Sequence, residues 1–223
     1  TNRQSLLRCR QDFPGPRWVA GDFTDPAVLA GLGQFDLVLL VNALHEVFSD
    51  ALASDRGQID IPLAKQGVEQ ALAGAVGCLA AGGWLVLFDG LEAAGDPQEW
   101  LRIRFIDRQA RQDFETFVRE YRPWQITYRP LEHPLAVLIS RRDFTRYITK
   151  SIFLGKALWQ TEQLQSYQYF SAEEFRAAIS RQNLEICELQ TLTMNDEKWR
   201  RLVEIETPGV DFPDEHILIL ARR

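Results

Sequence analysis

The sequence predicts an α/β fold built on a doubly wound, mostly parallel sheet. Residues 37–41 and 84–89 are almost unbroken apolar runs, which indicates strands that are covered on both faces. Between these runs, Val68, Leu72 and Val76 recur at helical spacing. Strands that alternate with helices along the chain are typical of a parallel sheet.

Length and composition are those of an ordinary globular chain. With 223 residues and 46% hydrophobic residues, the chain can bury one sizeable core, as one domain with a subdomain. The net charge of -6 provides no general attraction to nucleic acid or to an anionic membrane. No apolar run approaches the roughly 18 residues of a membrane span, and the first residues do not form a signal peptide. Because Cys9, Cys78 and Cys187 lie far apart without metal-ligand spacing, we expect reduced thiols in a cytoplasmic protein.

Three short elements are predicted before the first apolar run. Residues 3–11 are expected to be helical, and residues 17–20 to form a short strand. Asp25 and Pro26 suit the N-cap and the first position of a short helix. Further along, the glycine pair at 82–83 is expected to end the helix that precedes the second apolar run.

The composition changes after Gly90. Residues 92–170 carry 12 Arg+Lys and 10 Asp+Glu, whereas the rest of the chain carries 13 and 21, so this span is the basic part of an acidic protein. Ser140 and Asp143 have the spacing of a capping box that opens a helix. We therefore predict a largely helical insertion at 92–170 that caps the site, between core segments at 1–91 and 171–223.

The last part of the chain is predicted to return to the sheet. Ser171 and Glu174 form a second capping box. Residues 184–192 and 216–221 then have strand patterns and are joined by an acidic segment. This order predicts a C-terminal antiparallel hairpin at one edge of the sheet.

Taken together, these elements resemble the class I S-adenosylmethionine-dependent methyltransferases, a family with a Rossmann-like fold. The resemblance covers a little over half of the chain. Four features carry it: a strand ending Gly21-Asp22-Phe23; the strand Phe35-Asp36-Leu37-Val38 ending Asn42-Ala43-Leu44-His45; the run Leu79-Ala80-Ala81-Gly82-Gly83-Trp84-Leu85-Val86; and Tyr169-Phe170-Ser171-x-Glu173-Glu174-Phe175 before a terminal strand His-x-Leu-x-Leu-Ala-Arg.

Two motifs of that family are absent from this sequence. Members carry a glycine-rich loop after a first strand, and an acidic residue after a second strand that binds the ribose. This sequence resembles the family only beyond that point, so about 30 or more residues, one βαβ unit, are expected to be missing. The strand at 17–20 would then lack the neighbouring strands that it has in the family. Either the missing unit belongs to another chain or to a cleaved-off piece, or the two remaining strands close up, or the exposed edge recruits a neighbour. We expect a truncated protein in which the strand at 37–41 lies at an exposed edge of the sheet.

This truncation has consequences for partners and for the cofactor. The exposed edge is expected to be covered by a homodimer contact or by a missing N-terminal segment. The cofactor site is expected to be incomplete, so that this chain alone binds S-adenosylmethionine weakly or not at all.

The resemblance also implies which residues bind the cofactor. Asp22 and Phe23 match the family position that holds adenine, although a Gly-Asp pair can equally be a turn that ends a strand. Asn42, Ala43 and Leu44 match the segment that lines the cofactor near the transferred methyl group. Asn42 could instead satisfy backbone groups at the end of its strand.

His45 is the candidate general base, because imidazole can remove a proton near neutral pH at the point where substrate and methyl donor should meet. The alternative is a histidine at a helix start that binds the backbone. The helix dipole favours a glutamate in the first turn of a helix, and this alone explains why Glu46 occurs there. His133 is expected in a solvated loop and His216 in a structural position, and the histidines are too dispersed to indicate a metal site.

Candidate substrate contacts lie in the insertion and just after it. Arg142, Arg146 and Lys150 are four residues apart and share one helix face. With Tyr147, this face could bind a carboxylate or phosphate of a substrate, or RNA, or it could be a solvated face. Tyr167 and Tyr169 either line the substrate pocket or pack in the core, and the sequence favours neither alternative.

The resulting hypothesis is methyl transfer from S-adenosylmethionine to an O, N or C atom of a small molecule, because the insertion is an aromatic-rich cap. An RNA or protein methyltransferase is the rival among enzymes and would bind its substrate with steep salt dependence. A methyltransferase-like binding or scaffold module without catalysis is a further alternative. A nucleotide-binding dehydrogenase is disfavoured, since it too would need a glycine-rich loop.

Overall fold

The computed structural model of the chain describes residues 3–54 and 60–223. These residues form two four-stranded sheets, and each sheet has its own hydrophobic core. The first sheet uses strands from both ends of the chain, and the second lies mostly within the segment 92–170.

The helices and strands lie in three successive parts of the chain. Up to residue 90 they are α1 (Arg3–Asp12), α2 (Pro26–Ala30), β1 (Phe35–Val41), α3 (Leu44–Ser54), α4 (Ile61–Gly77) and β2 (Leu79–Gly90). The middle part holds β3 (Trp100–Phe105), α5 (Arg108–Glu120), β4 (Tyr128–Pro130), β5 (Ala136–Ser140), α6 (Arg141–Lys150) and a 3₁₀ turn (Ser151–Phe153). The last part holds α7 (Trp159–Glu162), α8 (Ala172–Arg181), β6 (Glu185–Leu192), α9 (Asp196–Arg200), β7 (Val203–Ile205) and β8 (His216–Arg222).

The predicted helix starts are confirmed by their caps. The Asp25 carboxylate accepts a hydrogen bond from the second residue of α2, and Ser140 caps α6 through the amide of Asp143. Ser171 and Glu174 form both bonds of a capping box at α8, at 3.2 and 2.8 Å. Short polar side chains at these positions satisfy amides that the helix leaves without partners.

The first sheet has the order β1-β2-β8-β6. Only β1 and β2 are parallel, while β8 runs antiparallel to both β2 and β6. The prediction of a mostly parallel sheet is therefore wrong, although the mixed α/β, Rossmann-like character is present. Each parallel pair needs its own crossover connection, and within the described residues only the α3–α4 segment supplies one to this sheet. The connection from β6 to β8 passes through α9 and through β7, which belongs to the second sheet.

The strand β1 lies at the edge of this sheet, as expected. The short strand predicted at 17–20 is wrong, because these residues have no regular structure. Local hydrogen bonds occupy this segment instead. The indole of Trp18 donates to the carbonyl of Phe13 at 2.9 Å, and Arg10 donates to the carbonyl of Trp18 at 3.0 Å.

The helices α3, α4 and α8 cover one face of the first sheet, where Leu85, Leu87 and Ile219 are fully buried. Along β1, the alternate residues Leu37 and Leu39 are 50% and 59% exposed. The predicted doubly wound arrangement is therefore wrong for the described residues. Because β1 is an edge, no crossover helix from a further strand reaches the second face.

The predicted end of α4 is also wrong. The helix ends at Gly77 with Cys78 as its cap, and residues 82–83 lie inside β2. The strand begins early because Leu79 pairs with Phe35 at the start of β1. A Cβ atom at Gly83 would lie 3.1 Å from the carbonyl oxygen of Phe35, so glycine permits the close approach of the two strands.

The segment 92–170 is not largely helical, which corrects that prediction. It contributes β3, β4 and β5 to the second sheet, whose order is β4-β5-β3-β7. Its aromatic and branched residues form strands because they pack on a half-buried pleated surface. Trp199, Val203 and Phe212 complete the second core from beyond residue 170. The division of the chain at residues 91 and 171 stays a prediction.

No helix in residues 3–54 and 60–223 combines the length and the apolar character that a membrane crossing needs. The longest of them, α4, has 17 residues. The cysteines at 9, 78 and 187 are free thiols, and Cys78 is buried against α2 and α4.

Gly90→Ala tests how closely the end of β2 approaches the segment before α8. A Cβ atom at Gly90 would lie 2.3 Å from the carbonyl oxygen of Tyr167, a distance that forces one backbone to move. We expect the free energy of unfolding in urea to fall by roughly 1–3 kcal/mol. Gly77→Ala is the matched control, because nothing lies within 4 Å of its Cβ position and the residue is helical. That variant should be as stable as the wild type or more so by up to about 1 kcal/mol. Equal stability of the Gly90 variant and the wild type would contradict the close approach.

Candidate functional site

The candidate site lies where β1 and β2 end side by side. Val41 pairs with Phe88, and the amide of Asn42 donates to the carbonyl of Phe88 at 2.8 Å. Asn42 has a φ of 49°, the left-handed conformation that asparagine adopts more readily than most residues. This turn directs the chain over the end of β2, where α3 begins. The carboxyl ends of parallel strands are the usual ligand edge of an open α/β sheet.

A buried carboxylate joins the two strand ends. Asp89, near the end of β2, is 0% exposed. One oxygen accepts hydrogen bonds from the amides of Ala43 and Leu44 at 3.1 and 2.8 Å, and the other accepts from the amide of Gly90 at 2.8 Å. The amides at a helix start point toward an anion placed there, so the first turn of α3 stabilises the ionised carboxylate.

The same carboxylate orients His45. Nδ1 of His45 lies 2.8 Å from Oδ1 of Asp89, and both side chains are almost wholly buried. An ionised carboxylate only accepts, so Nδ1 is the nitrogen that donates to it, and in a neutral imidazole the lone pair then lies on Nε2. Nε2 has no hydrogen-bond partner within the described part of the chain. The pair is thus arranged as a base with its tautomer fixed.

An aromatic ring and a buried lysine cover this pair. The Tyr167 ring lies 3.8 Å from the His45 ring, centroid to centroid. Nζ of Lys150 lies 4.0 Å from the centre of the Tyr167 ring and 2.5 Å from the Glu162 carboxylate. Burial lowers the pKa of Lys150 to about 8, while the charge of Glu162 acts in the opposite direction. Burial raises the pKa of Tyr167, and the charge of Glu162 raises it further.

Tyr169 packs beneath the pair. Its ring stacks on Phe48 of α3 at 5.6 Å and also contacts Phe175 of α8. Burial raises the pKa of the Tyr169 hydroxyl well above its ordinary value, and the negative charge of Asp89 contributes to this. Tyr169 is therefore a core residue whose hydroxyl lies toward the buried carboxylate.

The basic face of α6 is buried, so the solvated face expected as one alternative is wrong. Arg146 is 6% exposed and pairs with Asp143 at 2.9 Å, and Lys150 is 0% exposed. Arg142 is partly exposed and lies 3.6 Å from Glu92. The helix α6 packs between other elements along nearly its whole length, and its cations are neutralised by carboxylates there.

A chain of polar contacts connects Arg146 to α3. The Arg146 guanidinium lies 4.6 Å from the centre of the Trp124 ring, and the Trp124 indole donates to the Ser166 hydroxyl at 2.9 Å. The amide of Ser166 donates to the Ser49 hydroxyl, which donates to the carbonyl of His45 at 2.7 Å. These contacts fix the insertion against the helix that carries His45.

Three of the predicted site residues lie apart from His45. Asp22 forms a turn in which its carboxylate accepts from the amide and hydroxyl of Thr24 at 2.8 and 2.7 Å. The hydrogen bond from the Thr24 amide is the main reason why the pKa of Asp22 is lowered. Phe23 packs at the margin of the first core. Tyr147 lies in the second core against Phe114 at 5.1 Å.

The remaining histidines have local roles. The ring of His133 accepts from the amide of Leu135 in an exposed turn. The ring of His216 stacks on Phe88 at 5.2 Å. In residues 3–54 and 60–223, no group of three His, Cys, Asp or Glu side chains is placed to hold a metal ion.

Sequence reasoning missed Asp89 and the pairing of Lys150 with Glu162. Asp89 could have been found from its place, since it lies near the end of the strand next to the one that leads to His45. The Lys150 pairing had no such signal, because Glu162 lies on a separate short helix beyond the 3₁₀ turn.

No protein-family model matches this chain, and no curated protein matches it either. Three of the solved structures to which it is similar are methyltransferases. One is an O-methyltransferase family 2 protein from Planctomyces limnophilus in complex with apigenin, with 16% identity over 92% of this chain and 34% of that chain and a TM-score of 0.36. Another is an O-methyltransferase family protein from Burkholderia thailandensis, with 11% identity over 99% of this chain and 40% of that chain and a TM-score of 0.43. A third is an S-adenosylmethionine-dependent methyltransferase from Clostridium acetobutylicum, with 11% identity over 99% of this chain and 72% of that chain and a TM-score of 0.46. The chain spans about a third of the length of the first and two fifths of the second.

Asp89→Asn tests the buried carboxylate. An amide carries no charge and has only one accepting oxygen, so the amides of Ala43 and Leu44, the Gly90 amide and His45 cannot all keep their acceptor. We expect the free energy of unfolding to fall by roughly 2–4 kcal/mol. The control is the same substitution at Asp50, an exposed aspartate on α3, which should change stability by less than about 0.5 kcal/mol. Similar losses in the two variants would show that Asp89 does not anchor α3.

Lys150→Met tests the buried ammonium group through pH. The pKa of Lys150 is about 8 in the folded chain, whereas its ordinary value, which applies to the unfolded chain, is 10.5. Below about pH 8 Lys150 is protonated in both the folded and the unfolded state, so it adds no pH dependence to the free energy of unfolding. Between about pH 8 and 10.5 the unfolded state binds more protons, so the free energy of unfolding rises with pH by up to about 1.4 kcal/mol per unit.

The substitution removes this contribution. The wild type should therefore gain stability relative to the variant as pH rises through that window, measured by urea unfolding at each pH. Taking the difference between the two proteins cancels the tyrosines, which titrate in both. Parallel curves for the two proteins would rule out a depressed pKa.

Proposed function

We propose that this protein transfers a methyl group from S-adenosylmethionine to a nucleophilic atom of a small molecule, with His45 as the base. The observation that carries the proposal is the buried His45–Asp89 pair, whose Nε2 has no partner among the described residues, at the carboxyl ends of two parallel strands. A base fixed in this way serves acceptors such as hydroxyl or amine groups, which must lose a proton to become methylated.

Asp89 and Tyr167 have separate roles beside His45 in the proposed reaction. Asp89 holds His45 in the tautomer with a free Nε2 and stabilises the imidazolium that forms when Nε2 takes a proton from the acceptor. Tyr167 covers the imidazole ring and limits the access of water. The cofactor, when bound, supplies an electrophilic methyl group on its sulfonium.

The residues at the end of β1 fit a ligand with hydrogen-bond donors. Oδ1 of Asn42 is buried and has no hydrogen-bond partner in the described part of the chain. A buried acceptor without a partner is costly, and an amino group of the cofactor would satisfy it. We propose that Asn42, Ala43 and Leu44 line the cofactor. Asp22 and Phe23 would hold its adenine, where one oxygen of Asp22 makes no bond to Thr24.

The acceptor is proposed to enter beside Tyr167 on the insertion side. Glu162 neutralises Lys150, and Asp143 neutralises Arg146, so these cations are engaged within the protein. Arg142 of α6 is a partly exposed cation, and its Nε lies 3.6 Å from the Glu92 carboxylate. The lining favours a small, largely aromatic acceptor over a nucleic acid, which would need a row of free cations. A second copy of the chain or a further segment of polypeptide on the edge of β1 stays a prediction.

His45→Gln tests the proposed role. With S-adenosylmethionine labelled in its methyl group and a panel of phenols and amines, product formation by the wild type can be followed by mass spectrometry. For an acceptor that turns over, we expect kcat of the variant to fall by roughly 10²- to 10⁴-fold with little change in KM, because the base acts in the chemical step. His133→Gln is the matched control, since that histidine lies in an exposed turn.

Three outcomes would separate the alternatives. Unchanged kcat in the His45 variant would remove this residue from catalysis. Binding of S-adenosylmethionine without turnover of any acceptor would favour a binding module. Turnover of RNA or protein alone, with substrate binding that weakens steeply with salt, would overturn the small-molecule assignment.

A further inference from the structure

Lys150 lies at the end of α6 and is fully buried. Its Nζ atom lies 5.6 Å from the centre of the Phe153 ring and 4.0 Å from the centre of the Tyr167 ring. An ammonium group in such surroundings is costly unless a carboxylate is paired with it. Oε2 of Glu162 provides this partner at 2.5 Å from Nζ. The ion pair therefore lies directly beside the aromatic ring that covers His45.

The carboxylate oxygen that pairs with Lys150 also contacts the Tyr167 hydroxyl. This hydroxyl donates to Oε2 of Glu162 in a long hydrogen bond of 3.5 Å. The Glu162 side chain is only 14% exposed, so little water competes for the oxygen. Burial raises the pKa of Tyr167, and the charge of Glu162 raises it further, so the hydroxyl keeps its proton and can donate. One carboxylate thus connects the end of α6 to Tyr167.

The position of Glu162 is fixed by further contacts. Glu162 ends the short helix α7. The indole of Trp159, at the start of this helix, donates to the Glu120 carboxylate of α5 at 2.7 Å. The carbonyl of Gln163 accepts from the amide of Arg122 at 3.0 Å. These contacts attach α7 to the part of the chain around the second core, so the carboxylate has a fixed support.

Tyr167 depends on such contacts for its position. Residues 163–171 form neither helix nor strand. At the backbone of Tyr167, the carbonyl lies against Gly90, and at the far end of the side chain the hydroxyl lies against Glu162. The ring between these two points is 3.8 Å from the His45 ring, centroid to centroid, at an interplanar angle of 55°.

The hydrogen bond to Asp89 fixes the His45 imidazole at a single atom, Nδ1. A rotation of the ring about that atom would still change the direction of Nε2. A second ring packed at 3.8 Å restricts this rotation, since interiors leave little free space around a side chain. A proton acceptor in a reaction must be directed closely at the atom that it deprotonates. Tyr167 thus supplies the second constraint that such a base needs.

We propose that Lys150 and Glu162 are positioning residues for the base. Their ion pair holds the Tyr167 hydroxyl, and the Tyr167 ring keeps the imidazole in the orientation in which Nε2 faces the acceptor. A buried ion pair adds little net stability over apolar side chains of similar volume, so its effect here is to select one geometry. This role rests on the function proposed for His45, whereas the orientation of the imidazole can be measured without turnover.

Lys150→Met/Glu162→Leu tests the ion pair, because this double variant keeps the net charge and puts apolar side chains in place of both groups. The histidines are labelled with ¹³C, and the Cε1–H resonance of His45 is recorded at one pH. The Tyr167 ring current displaces this resonance, and Tyr167→Leu gives its position without the ring. We expect the double variant to move the resonance by at least about half of that displacement. Tyr167→Phe keeps the ring, loses the hydroxyl and should move the resonance in the same direction.

Turnover provides the second measurement. For an acceptor that the wild type methylates, kcat of the double variant should fall by at least about tenfold with little change in KM, because a misdirected base acts in the chemical step. Glu69→Leu/Arg181→Met is the matched control, since it removes an exposed ion pair of 2.6 Å between α4 and α8. Its His45 resonance and its kcat should equal those of the wild type. The melting temperature of each variant reports whether it is folded.

The two measurements separate the possible outcomes. A His45 resonance that keeps its wild-type position in the double variant and in Tyr167→Phe would overturn the proposal. A displaced resonance with unchanged kcat would also overturn it, because the orientation would then not matter to the reaction. If the wild type methylates no acceptor, the function proposed for His45 fails, while the resonance still decides whether the ion pair orients the imidazole. If the double variant does not fold, Tyr167→Phe alone decides.

Discussion

The buried carboxylate of Asp89 is the group on which the candidate site depends. It accepts hydrogen bonds from the first turn of α3, from the backbone of β2 and from His45. A charge is stable without solvent only when such donors surround it, and here they come from elements separated by more than 40 residues. One carboxylate therefore sets the position of a strand end, a helix start and an imidazole ring together.

The two halves of the molecule meet at this point. Gly90 lets the chain at Tyr167 approach the end of β2, and Ser49 of α3 bonds to the segment before Tyr167. The helix α6 contributes Lys150 on the side of His45 and Tyr147 to the second hydrophobic core. Its buried cations each have a carboxylate partner, which explains how a helix with this sequence can lie in an interior. One helix thus borders both the candidate site and the second core.

The first sheet has unequal faces. Helices cover one face, whereas the other exposes Leu37, Leu39 and Val41 along β1. The outer backbone edge of β1 adjoins this apolar surface and carries no strand from the described residues. A polypeptide that paired with this edge could also cover the apolar face, since a strand and its connecting helix bury the two kinds of surface together. Asn42, Ala43 and Leu44, which are proposed to line the cofactor, follow the carboxyl end of the same strand.

The sequence by itself determined the local features. Unbroken apolar runs identified β1 and β2, the caps at Asp25, Ser140 and Ser171 identified three helix starts, and the order of elements placed His45 at a strand end. Each of these depends on residues within a few positions of one another, so the pattern is visible along the chain. Only the tertiary structure decided the order of the strands, the second sheet within the insertion and the burial of the basic face of α6. It also decided that Asp89 is the partner of His45. These features arise from contacts between distant residues, where burial and pairing override local propensity and leave no periodic trace in the sequence.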